Sequence, residues 1–260
     1  MKPQNLTIVA NWKMQLSFNE ALSYYSEYHY DFVGLTKKAH NATIVLCPSF
    51  TALYPIIHYA KDSGIEFGAQ DCSAFRSGPH TGQVCSESIS QVGCHYCIIG
   101  HSERRQYNKE SNKEIAEKTK RLLEQEVMPI ICIGETTDQK ESQKTFNVLE
   151  EQLEPVLECI ANFGSSQEQI FVAYEPVWAI GTGNIPSAGY LSDVFGWISE
   201  KIDTTIKTPR LGGLLYGGSV SAETAPTFKS IETISGLLVG GASLDFQKFN
   251  NIVNLYCDSI

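Results

Sequence analysis

Three side chains have the types and positions that chemistry would need: Lys13, His101 and Glu175, each following a short apolar run. Lys13 comes after Leu6-Thr7-Ile8-Val9-Ala10 and, apart from the Arg104-Arg105 pair, is the only cation so placed. It could neutralise a phosphate or a developing oxyanion; the bland alternative is a solvated surface lysine. His101 follows Tyr96-Cys97-Ile98-Ile99 and Gly100, where the positive N-terminal end of a following helix would disfavour the charged imidazole. A neutral ring can donate a hydrogen bond to a carbonyl and polarise it, although a lone histidine is more often structural. Glu175 closes Ile170-Phe171-Val172-Ala173-Tyr174, an unfavourable place for a carboxylate unless it is used or paired. Partial desolvation would raise its proton affinity and suit it to take a proton from carbon beside a carbonyl; the alternative is a structural ion pair.

Downstream of Glu175, the run Pro176-Val177-Trp178-Ala179-Ile180-Gly181-Thr182-Gly183 has a stiff start, an apolar tip and glycines at its far end. That build fits a lid that keeps water from a reactive enediolate. Gly217-Gly218-Ser219 and Gly240-Gly241 put small residues where backbone N–H groups can approach a phosphate. Cys94-His95-Tyr96-Cys97 superficially resembles a redox or zinc motif. It reads as entering a strand, so its thiols would face opposite ways, and neither a metal site nor a disulfide is expected.

Eight short apolar or β-branched runs recur along the chain, with helical periodicity between them: Leu6–Ala10, Thr43–Cys47, Ile65–Ala69, Tyr96–Ile99, Met128–Ile133, Ile170–Tyr174, Leu211–Tyr216 and Gly236–Val239. Ser17 with Glu20, and Ser111 with Glu114, read as capping boxes. Alternation of this kind requires a parallel sheet with helical crossovers, and near-continuous apolar strands fit a sheet covered on both sides. The α/β pattern predicts a single-domain (β/α)8 TIM barrel over residues 1–260, with a doubly wound open sheet as the competing arrangement. In a barrel the polar clusters after the strands share one rim, which would collect Lys13, His101 and Glu175.

The 260 residues carry a formal net charge of -9 and have no basic run, which argues against nucleic-acid or anionic-membrane partners. The apolar stretch near the N-terminus is too short for a signal segment or a membrane span, so a cytoplasmic location is expected. Eight cysteines without small-scaffold spacing fit reduced thiols.

Five segments resemble triosephosphate isomerase, in family order: Asn11–Met14, Gly100–Arg105, Ala173–Gly183, Tyr216–Ser219 and Leu238–Ser243. A glutamate base beside a neutral histidine is the known pairing of that family. The resemblance implies that Glu175 carries a proton between C1 and C2 of a triose phosphate. His101 and Lys13 would stabilise the enediolate oxygen, Asn11 would orient the substrate, and Glu103 would support the site from behind. Gly181, Ser219, Gly240 and Gly241 would hold the phosphate, and no metal or organic cofactor is implied. The family is usually a homodimer, in which Gly78-Pro79-His80-Thr81-Gly82-Gln83 would reach the partner, with Thr81 buttressing its site. Two other readings remain: a phosphate-binding barrel enzyme with different chemistry, and a silent barrel that only binds a partner.

Three departures from the family pattern carry expectations. Gln83 stands where a glutamate commonly pairs with the arginine matching Arg104, so a charged contact is expected to become neutral. Asn184-Ile185-Pro186 replaces the usual far hinge of the lid, and Pro186 has no N–H to offer the Tyr216 hydroxyl, so altered lid closure is expected. Gly213 and Ser235 stand where the family tends to have an arginine and an aspartate, which removes an ion pair whose loss can be nearly neutral.

Overall fold

The computed structural model describes residues 6–61, 63–163, 169–206 and 211–257. The N-terminal residues 1–5, on which the reading of a missing leader partly rests, lie outside them. Eight strands run β1 Leu6–Asn11, β2 Ala42–Cys47, β3 Glu66–Ala69, β4 Tyr96–Ile99, β5 Met128–Ile133, β6 Ile170–Tyr174, β7 Leu211–Tyr216 and β8 Gly236–Val239. Each pairs in parallel with the next, and β1 pairs with both β2 and β8, so the sheet closes into a barrel. The open-sheet alternative is thereby excluded: the molecule is a single-domain (β/α)8 TIM barrel, and each expected strand lies within one residue of its observed start and end.

Alternation along each strand sends side chains to two different cores. Val9, Val45, Ile98, Ile130, Ala173, Leu215 and Leu238 fill the barrel interior, while Ile8, Ala10, Ile44, Leu46 and Tyr174 pack outward against the helices. Both faces of the strands are therefore buried, which is why their sequences read as nearly unbroken apolar runs.

The helix Phe18–Lys38 starts at the expected box, with the Ser17 side chain accepting from the Glu20 N–H and the Glu20 carboxylate accepting from the Ser17 N–H. Ser111 and Glu114 cap Asn112–Leu123 in the same way. Where an ion pair was expected to be missing, the structure has a close fit. The Ser235 hydroxyl accepts from the Leu214 N–H at 2.7 Å, and a Cβ on Gly213 would come within 2.3 Å of that oxygen. A glycine and a serine thus join β7 to the segment entering β8 without any charge. All eight cysteines are free, Cys94 and Cys97 among them.

Candidate active site

At the C-terminal ends of the strands lies a cavity of about 410 Å³ whose lining includes Asn11, Lys13, His101 and Glu175 together with Gly181, Ser219, Gly240 and Gly241. Lys13 is the one lysine or arginine among the described residues that line it. In a protein with net charge -9, that gives an anion a local reason to enter here.

Lys13 leaves β1 with a left-handed backbone, φ 53°, a conformation unfavourable for a residue with a Cβ. Two contacts hold it there. Its N–H donates to Asn11 Oδ1 at 3.0 Å, and its carbonyl accepts from Gln70 Nε2 at 2.8 Å. Its ammonium is bound to Glu103 Oε1 at 2.6 Å. Glu103, its side chain 45% exposed, does not line the cavity and reaches the site through its bond to Lys13.

His101 is the N-cap of the helix Ser102–Tyr107 and is buried. Its Nδ1 accepts from the Glu103 N–H at 3.2 Å, whereas the nearer Glu103 carboxylate oxygen stands 3.6 Å away, beyond hydrogen-bond range. An accepting Nδ1 carries no proton, so the ring's proton is on Nε2. That nitrogen is 3.1 Å from Glu175 Oε1, and the Ser102 N–H donates to Glu175 Oε2 at 3.1 Å.

Glu175 is 2% exposed and closely enclosed. A Cβ on Gly217 would sit 2.8 Å from its Cγ, and one on Gly134 would overlap its carbonyl oxygen. Only glycine at those two positions leaves the strand end room to carry this carboxylate.

The lid begins in a short 3-10 turn, Val177–Ala179, and its two ends differ. At the near end the Trp178 indole donates to Glu135 Oε1 at 2.8 Å. Ser219 Oγ donates to the Ala179 carbonyl. Beyond Ile180, residues 181–185 are exposed, Ile185 by 41%. Pro186 is buried, and the Tyr216 hydroxyl is buried with no partner among the described residues.

Glu135, which sequence reasoning passed over, is fully buried and accepts from the hydroxyls of Tyr174 at 3.0 Å and Tyr190 at 2.9 Å as well as from Trp178. Burial, with the Glu135 charge adding to it, pushes the Tyr174 hydroxyl far above its ordinary pKa, so it stays a donor. A signal was available: Gly134-Glu135 follows β5 just as Gly100-His101 follows β4. Ser102 and Gln70 were missed for a different reason, since one contributes a backbone N–H and the other only positions a neighbour.

Thr81, Gln83 and Arg104 lie outside this cavity. Within the chain, the Arg104 guanidinium pairs with Asp71 at 2.8 Å and Glu110 at 3.3 Å. Gln83 instead accepts from the Ser73 hydroxyl at 2.5 Å. Asp71 and Glu110 reach Arg104 from neighbouring segments, so its charged contacts do not depend on position 83.

Residues 6–256 match the protein family described as triosephosphate isomerase. A triosephosphate isomerase of Dictyoglomus thermophilum is 39% identical over 250 residues, covering 95% of this chain and 97% of that one. One from Aquifex aeolicus is 37% identical over 249 residues, covering 95% and 97%. The crystal structure of the Bartonella henselae enzyme superposes with a TM-score of 0.81 at 30% identity, covering 97% of this chain and 99% of that one.

Proposed function

This chain belongs to the triosephosphate isomerase family, and we propose that Glu175, His101 and Lys13 divide its chemistry among them. The protein is an isomerase that interconverts dihydroxyacetone phosphate and D-glyceraldehyde 3-phosphate, a step of glycolysis and gluconeogenesis. The observation that carries the division of labour is the convergence of the three side chains, from the ends of β1, β4 and β6, on the wall of one cavity.

Starting from dihydroxyacetone phosphate, the Glu175 carboxylate takes a proton from C1, and the C–H electron pair forms the C1–C2 double bond of the enediolate. The charge moves onto the C2 oxygen, where the Nε2–H of His101 and the ammonium of Lys13 meet it. The protonated Glu175 then returns the proton to C2, and transfer between the two oxygens through His101 Nε2 completes the aldehyde. Without substrate, each group is engaged by the protein: Glu175 by His101 and Ser102, Lys13 by Glu103. Substrate must exchange those contacts for its own.

Asn11 holds Lys13 in its strained turn and orients the substrate. Gly181, Ser219, Gly240 and Gly241 surround the phosphate with backbone N–H groups. The segment Pro176–Gly183 closes over the intermediate and excludes water, which would otherwise allow elimination of the phosphate.

The protein works as a cytoplasmic homodimer. Supporting this are the free thiols, an exposed Met14 (94%) beside Lys13, and a half-exposed Phe75 stacked on His80 at 3.9 Å in the loop bearing Thr81. Among the described residues, no helix is long and apolar enough to cross a membrane.

A coupled assay converting D-glyceraldehyde 3-phosphate, run without added metal on wild type and on Glu175→Asp, tests the assignment. A folded wild type without turnover sinks the activity. Equal turnover by the two proteins sinks the role of Glu175 alone.

A further inference from the structure

The Trp178 ring has a second partner besides Glu135. The ammonium of Lys140, on the short helix Thr137–Glu141 that follows β5, stands 3.0 Å from the ring centroid and 5.3 Å from that of Tyr190. A cation over an indole face is attracted by the ring's negative π surface. The same indole is held at its edge by a buried carboxylate. Face and edge are thus both bound, by two residues from the one loop after β5.

Trp178 is three residues from Glu175 and sits inside the near hinge of the lid. Carrying the exposed tip, residues 181–185, over the cavity requires this hinge to pivot, and the indole cannot follow it and keep both contacts. Whatever stabilises the docked indole therefore opposes closure. The far end is exposed over residues 181–185 and ends at Pro186, which has no N–H to donate.

We propose that Lys140 is a positioning residue of the isomerase: its ammonium, seated on Trp178, holds the lid docked and so sets how tightly substrate binds. The proposal rests on the lid reading above. Ligand that binds the closed form must draw on the closed population, and its apparent affinity scales with that fraction. Lys140 touches no substrate, so its substitution changes KM through the lid equilibrium and leaves the chemistry of Glu175 alone.

The test uses full-length protein with its three tryptophans replaced by 5-fluorotryptophan, and glycerol 3-phosphate, which lacks the carbonyl, as ligand. Fluorine NMR follows the Trp178 resonance during titration of wild type, Lys140→Gln and Lys140→Arg. In wild type, ligand should shift that resonance. Lys140→Gln should bind about fivefold more tightly and show a fivefold lower KM, the effect of removing one exposed cation–π contact of about 1 kcal/mol. Lys140→Arg should behave as wild type, because a guanidinium keeps the contact. If wild-type Trp178 ignores the ligand, the lid reading fails and the proposal with it. If Trp178 responds but Lys140→Gln binds equally or more weakly, or Lys140→Arg matches Lys140→Gln, the lid stands and the role of Lys140 is overturned.

Discussion

The two ends of the lid are built on opposite principles. The near end is saturated: Trp178, Tyr174 and Tyr190 all donate to one buried carboxylate, Glu135, and Lys140 covers the indole. The far end is exposed over residues 181–185 and ends at Pro186, which has no N–H; the Tyr216 hydroxyl, which such an N–H would meet in the family pattern, is buried with no partner among the described residues. A segment held at one end and loose at the other pivots about the held end, and in this barrel that end adjoins Glu175, the proposed base. Motion of the lid and placement of Glu175 are coupled through three residues of chain.

The comparison can be broken most severely where the two ends meet. Glu175→Gln, with both hinges intact, should lower kcat by about 10³- to 10⁴-fold while leaving the unfolding midpoint unchanged; a smaller loss would mean that another group takes the proton. Next in size is Glu135→Leu. It strands three donors in the saturated end and should cost about 3 kcal/mol of stability in denaturant unfolding, with KM altered through the loosened hinge.

The sharpest discrimination comes from two matched tyrosines. Tyr174→Phe removes a hydrogen bond to a charged acceptor and should cost about 2 kcal/mol, whereas Tyr216→Phe removes an unsatisfied hydroxyl and should be neutral or stabilising by about 1 kcal/mol. Equal costs would erase the distinction between the ends. Pro186→Ala restores an N–H at the far hinge, so relaxation dispersion with bound ligand should find the closed state favoured about fivefold more, the worth of one net hydrogen bond near 1 kcal/mol. An unchanged equilibrium means that the proline does not impair closure.

A capping box far from the lid gives the smallest effect and a control. Hydrogen bonds from the Ser111 backbone and side chain hold the Glu114 carboxyl below its ordinary pKa of 4.5. A depressed folded pKa means that this stabilisation is present above the ordinary value and is lost as pH falls through the folded one. Ser111→Ala should therefore cost about 1 kcal/mol at neutral pH and less in acid, without moving the lid equilibrium.

Much of the molecule was readable from residue order. Strands buried on both faces produce apolar runs that no other element shares, and the residue following such a run must sit on the rim, which is how Lys13, His101 and Glu175 can be assigned to one mouth before any contact is known. The caps at Ser17 and Ser111 were equally readable, because a capping box is completed within four residues.

What remained hidden depends on distance in space. The ammonium of Lys13 meets Glu103; Arg104 meets Asp71 and Glu110; Gly213 and Ser235 read as a lost pair and prove to be a close fit. Glu135 carries only the signal of its place after β5 until three donors, from β6, the turn Val177–Ala179 and the helix Ala188–Thr205, close around it. Sequence by itself determined the alternation of strands and helices and the strand ends that bear chemistry, since periodicity and apolar content are local properties; closure into a barrel was decided by the pairing of β1 with β8. Only the closed barrel decided which polar groups face one another, because hydrogen bonds and ion pairs depend on ångström distances between segments far apart in the chain.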